Sequence, residues 1–150
     1  MMGMKEQVYQ FAVNFVDQKI SGLQLALQDI VQALTSETKS TAGDKHETGR
    51  AMLQLEREKL GKQLAEVEKM KLVLQKVNPN IPSEKVALGA LVATQTCYYY
   101  ISISAGKFIG LEKPTYCISA ATPIAQLLLG KKAMDSFTFN NIDNTILAVF

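Results

Sequence analysis

Two carboxylates three residues apart, Asp44 and Glu47, are the side chains of this 150-residue sequence best suited to chemistry. They lie in a polar stretch from Ser36 to Met52, which also holds the single histidine, His46. Carboxylate oxygens suit Mg²⁺, which accepts one or two protein carboxylates when other groups complete its octahedron. Two acids cannot hold the ion alone. We therefore predict that they complete a metal site belonging to another protein.

The same two acids have a structural interpretation. Asp44 followed by Glu47 has the spacing of a capping box, with Asp in place of Ser or Thr, in which both side chains would bond backbone N–H groups where a helix begins. A transition-metal site of Asp44, His46 and Glu47 is a further hypothesis, but neighbouring residues on an exposed turn make a poor and incomplete site. The patterns GxGxxG, GxxxxGK[ST], GxSxG and HExxH are all absent, so nucleotide, hydrolase and zinc-protease sites have no motif support.

The polar stretch separates two helical patterns. Before it, apolar residues recur at steps of three and four, which predicts one face of a helix from about residue 5 to 37. These residues are Tyr9, Val13, Val16, Ile20, Leu23, Leu27, Ile30 and Leu34, with Phe11, Phe15 and Leu25 widening the stripe. After it, the stripe resumes in a second helix, predicted at 48–77, at Leu53, Leu60, Leu64, Val67 and Leu74.

A short polar connection between two such helices predicts an antiparallel coiled coil with the acid pair at its tip. The prolines Pro79 and Pro82 end the second helix, because the residue before each is pushed away from helical angles. We therefore predict three segments: a coiled-coil arm at 1–78, a linker at 79–83 and a second domain at 84–150.

The second domain has a β pattern. Strands are predicted at 86–95, 96–104, 116–119, 137–139 and 146–150, with a turn at 140–144. Thr122 followed by Pro123 predicts an N-cap and first turn for a short helix, 124–129, that ends at Gly130. The predicted fold class is α+β: an antiparallel helical hairpin followed by a small antiparallel sheet with one short helix.

Composition restricts the function further. The formal charge of +2 is spread evenly along the chain, so no strongly basic half indicates nucleic-acid binding. The N-terminus carries Glu6 and no uninterrupted apolar run, so neither a secretory signal nor a membrane span is predicted, and we expect a cytoplasmic protein without a membrane partner. Cys97 and Cys117 lack CxxC spacing. They are predicted to be buried free thiols, with a redox or nucleophilic role as the alternative.

Two motifs resemble the Gre family of bacterial transcript cleavage (transcription elongation) factors, GreA and GreB. The stretch AGDKHETGRAM is similar to the family pattern GDLKENAEY, and ISAATPIAQLLLGKKAMDSFTF is similar to the C-terminal pattern ISxxSPLGxALLGKxxGDxVxV. The resemblance covers nearly the whole chain. It implies an N-terminal antiparallel coiled coil followed by an FKBP-like domain.

The resemblance also implies a partner, RNA polymerase, whose secondary channel the coiled coil would enter. Near the 3′ end of the nascent RNA, Asp44 and Glu47 would help hold a Mg²⁺ ion and orient water, and the polymerase would cleave backtracked RNA. The ion would be bound only in that complex, and the chain itself would be a monomer and not an enzyme. Thr122 and Pro123 match the loop that docks on the rim of the channel.

Four positions depart from the family patterns. Thr48 replaces an Asn, Ala51 a Tyr, Ala121 an Asp and Met134 a Gly. The first two changes favour a second hypothesis, a regulator that occupies the channel without stimulating cleavage. A third hypothesis, a peptidyl-prolyl isomerase, has little support because the C-terminal half has no Trp and only scattered Tyr and Phe.

Overall fold

The computed structural model describes the backbone of residues 2–39 and 43–150, and the side chains of these residues outside 37–46. The helices are α1 (Met4–Lys39), α2 (Gly43–Gln75) and α3 (Pro123–Leu128). The strands are β1 (Leu91–Ala93), β2 (Tyr98–Ser102), β3 (Gly106–Phe108), β4 (Thr115–Ser119), β5 (Ser136–Phe139), β6 (Ile142–Thr145) and β7 (Ala148–Val149). The chain divides into two compact units, Val16–Met70 and the combination of Met1–Phe15 with Lys71–Phe150.

The unit Val16–Met70 is a helical hairpin. Its core brings Ile30 and Leu34 of α1 against Leu60 of α2, with further packing from Leu23, Ala26, Leu27 and Leu53. Because α2 begins only four positions after α1 ends, helices that pack in this way must run antiparallel. The predicted antiparallel hairpin is confirmed. Leu25, which we expected to widen the apolar stripe, is instead 62% exposed.

The second helix begins earlier than predicted. It starts at Gly43 and not near residue 48, so the backbone of Asp44 is already helical. A capping box needs its first residue in front of the helix, with non-helical angles. The position of α2 therefore does not favour the capping-box interpretation. An acid inside the first turn is still favoured, because the partial positive charge of a helix N-terminus attracts it.

A turn follows α2 where the sequence predicted that the helix stops. The Asn78 side-chain oxygen accepts a hydrogen bond from the Asn80 backbone N–H at 2.9 Å, and the Ile81 N–H donates to the Asn78 carbonyl oxygen at 3.3 Å. Such local bonds are the reason why Asn is favoured in turns. Residues 2–39 and 43–150 contain no helix with the length and hydropathy of a membrane span.

The main sheet of the other unit has five strands in the order β3-β4-β2-β1-β7. Its pairs are antiparallel except β2 with β4, which run parallel from Tyr98 opposite Thr115 to Ser102 opposite Ser119. The prediction of a purely antiparallel sheet is therefore wrong at this pair. The physical reason is that β3 lies between β2 and β4 in the sequence and pairs antiparallel with β4 at the edge of the sheet. The chain therefore reverses direction twice, so that β4 runs in the direction of β2. The sheet is mixed.

One face of this sheet packs on α3. Val92 and Ile101 of the sheet join Ile124 and Leu128 of α3 and the neighbouring Phe137 in one buried cluster. Alternate residues of a strand point to opposite faces, so Tyr100 lies on the other side, where it is fully buried. The short helix thus has a well-packed base.

Strands β5 and β6 form a separate two-stranded hairpin. Phe139 pairs with Ile142, so the connection is only Asn140 and Asn141, with φ of +52° and +62°. Positive φ at both central residues is the signature of a type I′ turn, which matches the twist of the strands. The predicted turn at 140–144 is too long, because residues 142–145 form β6.

The first turns of α1 contact the sheet within the same compact unit. The rings of Phe11 and Phe108 have centroids 5.0 Å apart. The hydroxyl of Tyr9 donates to the Leu74 carbonyl oxygen at 3.1 Å, and Lys5 Nζ donates to the Ile81 carbonyl oxygen at 2.7 Å. Phe11 therefore widens the stripe for a specific reason, which is a second packing surface at this end of α1.

Candidate functional site

The acid pair belongs to the start of α2. Asp44 is the second residue of this helix and Glu47 the fifth. Positions three apart in a helix lie on the same face. Glu47 is exposed to solvent, whereas the side chains of Asp44 and His46 lie outside the described residues. The helix therefore gives the two positions a common direction, and one carboxylate is accessible.

The residues after the pair continue the helix. Thr48 and Ala51, the two positions that depart from the Gre pattern, are both exposed on α2. At Ala51 the surface presents a methyl group where the family pattern has a phenol ring and hydroxyl. A partner that binds this end of the hairpin would meet a smaller and less polar surface at that position.

The described side chains do not form a complete metal site by themselves. Among the residues whose side chains the structure describes, no group of three or more His, Cys, Asp or Glu is placed to hold a metal ion. The side chains of Asp44 and His46 are outside this described set. Glu47 alone offers two carboxylate oxygens, and Mg²⁺ requires six ligands in a nearly ideal octahedron. The donor type fits Mg²⁺, and most of the ligands would have to come from elsewhere.

The second predicted site, Thr122 and Pro123, forms a tight cap on α3. Thr122 has extended backbone angles, and its hydroxyl oxygen accepts from the Ala125 N–H at 3.4 Å. The same hydroxyl donates to the Ser119 carbonyl oxygen at 2.8 Å. Pro123 occupies the first turn, where its fixed φ suits the helix and its missing N–H is not needed. The predicted cap is confirmed.

This cap holds an exposed loop on a rigid base. Ala121 and Pro123 are exposed, while Ile124 and Ala125 directly behind them are buried in the core. The Gln126 side chain also donates to the Ala120 carbonyl oxygen, which ties the loop to the helix a second time. A loop that is fixed in this way presents its outer side chains at low entropic cost, which favours a binding role.

Both cysteines belong to the compact unit that contains the main sheet. Both Cys97 and Cys117 are buried free thiols, as predicted. Burial raises the pKa of the Cys117 thiol to about 12, so the thiolate needed for nucleophilic or redox chemistry is strongly disfavoured near neutral pH. No pattern in the sequence indicated the neighbouring buried hydroxyls of Tyr100 and Ser102, which have no hydrogen-bond partner among the described residues. Both side chains lie on the face of the sheet opposite α3 and belong to neither predicted site.

The comparisons with known proteins leave the family open. No family model matches the sequence, and no curated protein matches it. A solved structure described as "Structure of the transcription factor Gfh1" is similar, with 17% identity over 89% of this chain and 90% of that chain, at a TM-score of 0.34. At this identity and TM-score, the likeness does not establish a shared fold, family or activity.

Proposed function

We propose that this protein is a transcription elongation factor that inserts its helical hairpin into the secondary channel of RNA polymerase and stimulates cleavage of backtracked RNA. The observation that carries the proposal is the acid pair at the start of α2, at the turning end of a long antiparallel hairpin. The sequence around this pair resembles the Gre family pattern, and so does the stretch around Thr122 and Pro123.

The dimensions of the helices suit this role. In the unit Val16–Met70, α1 contributes residues 16–39 and α2 contributes residues 43–70, which extend roughly 36–42 Å at 1.5 Å per residue. Two such helices packed by Ile30, Leu34 and Leu60 form a narrow rod, about two helix diameters across. Such a rod can deliver carboxylates through an opening that would exclude a globular domain.

In this mechanism, the chain supplies oxygen ligands and position, while the polymerase supplies the remainder of the site. A bound Mg²⁺ would lower the pKa of a water molecule and stabilise charge on the scissile phosphate. Asp44 and Glu47 would contribute negative oxygens to that site, and their common helix face would fix the direction of approach. Thr122 and Pro123 would hold the other domain on the rim of the channel. The protein would have no complete active site of its own.

A second candidate function is a regulator that occupies the channel without stimulating cleavage. It is favoured by Thr48 and Ala51, which are exposed beside Glu47 and lack the amide and phenol of the family pattern. If those groups help to position RNA or water, this chain would bind the polymerase and leave its cleavage rate unchanged. The two functions share the partner and differ only in the chemistry of the tip.

A cleavage assay on backtracked polymerase separates the two functions. We would add the purified protein to a stalled, backtracked elongation complex from the same organism and measure shortened RNA. The test variant is the double change Asp44→Asn and Glu47→Gln, which keeps the shape of both side chains and removes both charges. We expect unchanged polymerase binding and a Tm lowered by only a few degrees, because the helix N-terminus loses two favourable charges. Stimulated cleavage should fall at least ~100-fold, because each carboxylate is a ligand of the reacting site.

The possible results have distinct meanings. Cleavage that persists in the double variant would remove the catalytic role of the acids. A wild-type protein that binds the polymerase but never shortens the RNA would establish the regulator instead. If the wild-type protein does not bind the polymerase at all, both functions are wrong.

The docking role of the capped loop has its own test. We expect Pro123→Ala to weaken polymerase binding several-fold, because it removes a rigid exposed ring from the contact. Alanine is accepted in a first helical turn, and Thr122 keeps its cap, so the fold should survive. Pro82→Ala, which removes another exposed proline, is the matched control and should bind as the wild type does. Equal affinity of the two variants would exclude the loop from the interface.

A further inference from the structure

The side of the helical hairpin carries a groove that neither predicted site uses. It has a volume of about 820 Å³ and lies between α1 and α2 within residues 21–61. From α1, the apolar Leu25, Leu27 and Val31 line it together with the polar Ser21, Gln24 and Gln28. Arg57 and Gly61 line it from α2. We call it the Gly61 groove.

Gly61 is not required by the packing of the hairpin. A Cβ atom built on Gly61 would meet nothing within 4 Å, and this glycine has no positive φ. Glycine is among the poorest residues for a helix interior, second only to proline. The fold would therefore accept alanine or leucine here and gain stability. What Gly61 provides is space at the surface, where another backbone can approach closely.

The other side chains of the Gly61 groove indicate what approaches. Leu25 is 62% exposed and Val31 is 45% exposed, so two large aliphatic side chains stand uncovered on one wall. Arg57 is the only charged residue in the lining. In the part of the chain that the structure describes, its guanidinium makes no ion pair or hydrogen bond. An occupant that matches this surface has apolar side chains and a carboxylate.

We propose that the Gly61 groove binds an α-helix of RNA polymerase that carries apolar residues at helical spacing and an acidic residue opposite Arg57. This inference rests on the proposed function, since it names a contact made once the hairpin has entered the channel. A furrow between two antiparallel helices accepts the side-chain ridge of a third helix. A glycine in the furrow lets the helix axes come closer than larger residues allow. Helix-in-groove recognition uses this type of apolar surface.

The substitution Gly61→Leu tests the proposal because we expect it to stabilise the fold and to weaken binding. Gly61→Leu fills the open space with a good helix former, so we expect Tm to rise by about 2–4 °C. The same side chain would occupy the volume needed by the partner helix, so we expect the Kd for core RNA polymerase to increase about tenfold. A residue with a merely structural role would not weaken binding while it stabilises the fold.

Gly22→Leu is the matched control. Gly22 is also helical, also has nothing within 4 Å of its Cβ position, and lines a different groove that contains Lys19, Lys62 and Glu66. It should show the same rise in Tm and keep the wild-type Kd within twofold. Arg57→Glu, which reverses the single charge, should weaken binding about tenfold and reduce its dependence on salt.

The outcomes can be distinguished from a failure of the proposed function. If the wild-type protein binds the polymerase and Gly61→Leu binds equally well, the groove is not the contact, although the proposed function stands. If the wild-type protein is a dimer by sedimentation and Gly61→Leu is a monomer, the occupant is a second copy, and the proposal is wrong. If the wild-type protein does not bind the polymerase, the proposed function and this inference are both wrong.

Discussion

Met134 carries a conformational cost that a single substitution should remove. Its φ is +76°, in the left-handed region that side chains with a Cβ rarely adopt. The cost for such a residue is about 1–2 kcal/mol. Its backbone N–H donates to the Ile146 carbonyl oxygen at 2.7 Å, which holds the residue in this conformation. The Gre pattern has Gly here, so Met134→Gly is the natural substitution.

The size of the effect can be worked out from the surroundings. Met134 is 75% exposed, so removal of its side chain forfeits little buried area. Glycine gives the unfolded chain more conformational freedom, which reduces the stabilisation by about 0.5–1 kcal/mol. The difference is a net stabilisation of about 0.5–1 kcal/mol. For a protein of this size, such a change raises Tm by about 1–4 °C.

Urea unfolding of three proteins tests this account. Met134→Ala is the control, because it also removes the exposed side chain but keeps the Cβ and therefore the left-handed cost. We expect the free energy of unfolding of the alanine variant to lie within about 0.5 kcal/mol of the wild-type value. The glycine variant should have the highest free energy of unfolding of the three proteins. A glycine variant no more stable than the alanine variant would refute the argument from φ.

Two further outcomes follow from the sheet unit. A Cβ at Gly110 would collide with Cζ of Phe108, so Gly110→Ala should push this ring away from Phe11 and lower the free energy of unfolding by about 1–3 kcal/mol. Unchanged thermal unfolding would contradict this. The pKa of Cys117 is raised by burial from its ordinary 9.0 to about 12. The stability that this thiol contributes is therefore complete below pH 9 and is lost as pH rises from 9 towards 12, because the unfolded chain releases the proton first. Between pH 8 and pH 10, urea unfolding of the wild type should lose about 1 kcal/mol more than that of Cys117→Ser, and equal losses would exclude the effect.

The sequence was sufficient where the structure depends on local periodicity. The apolar spacing defines one face of each long helix, with Val16 in α1 and Leu60 and Val67 in α2. A short connection between two such helices leaves only an antiparallel arrangement. The cap at Thr122 was equally predictable, because it depends on two adjacent residues whose side-chain chemistry has one good use. In each case, the information lies within about one turn of helix or within one short connection.

The remainder depends on partners that are distant in the chain. The alternation of residues in β2 specifies which side chains share a face, but it contains nothing that selects β4 as a parallel neighbour. The groove at Gly61 was missed for a related reason. A glycine in a helical pattern signals reduced stability, and only the coordinates show that the space around it is empty. The Asp44 side chain lies outside the described residues, so its role stays a prediction from sequence.

The division of the chain into compact units has a consequence for synthesis. Phe11 belongs to the same unit as Phe108, about 100 residues later, whereas the contacts among residues 16–70 are available as soon as that segment has been made. At about 5–20 residues per second, Phe108 follows Phe11 by roughly 5–20 s. During that interval the ring contact that Phe11 makes with Phe108 in the finished protein cannot form. The nascent chain therefore exposes apolar surface for seconds while its hairpin closes, and this is the state that chaperones bind.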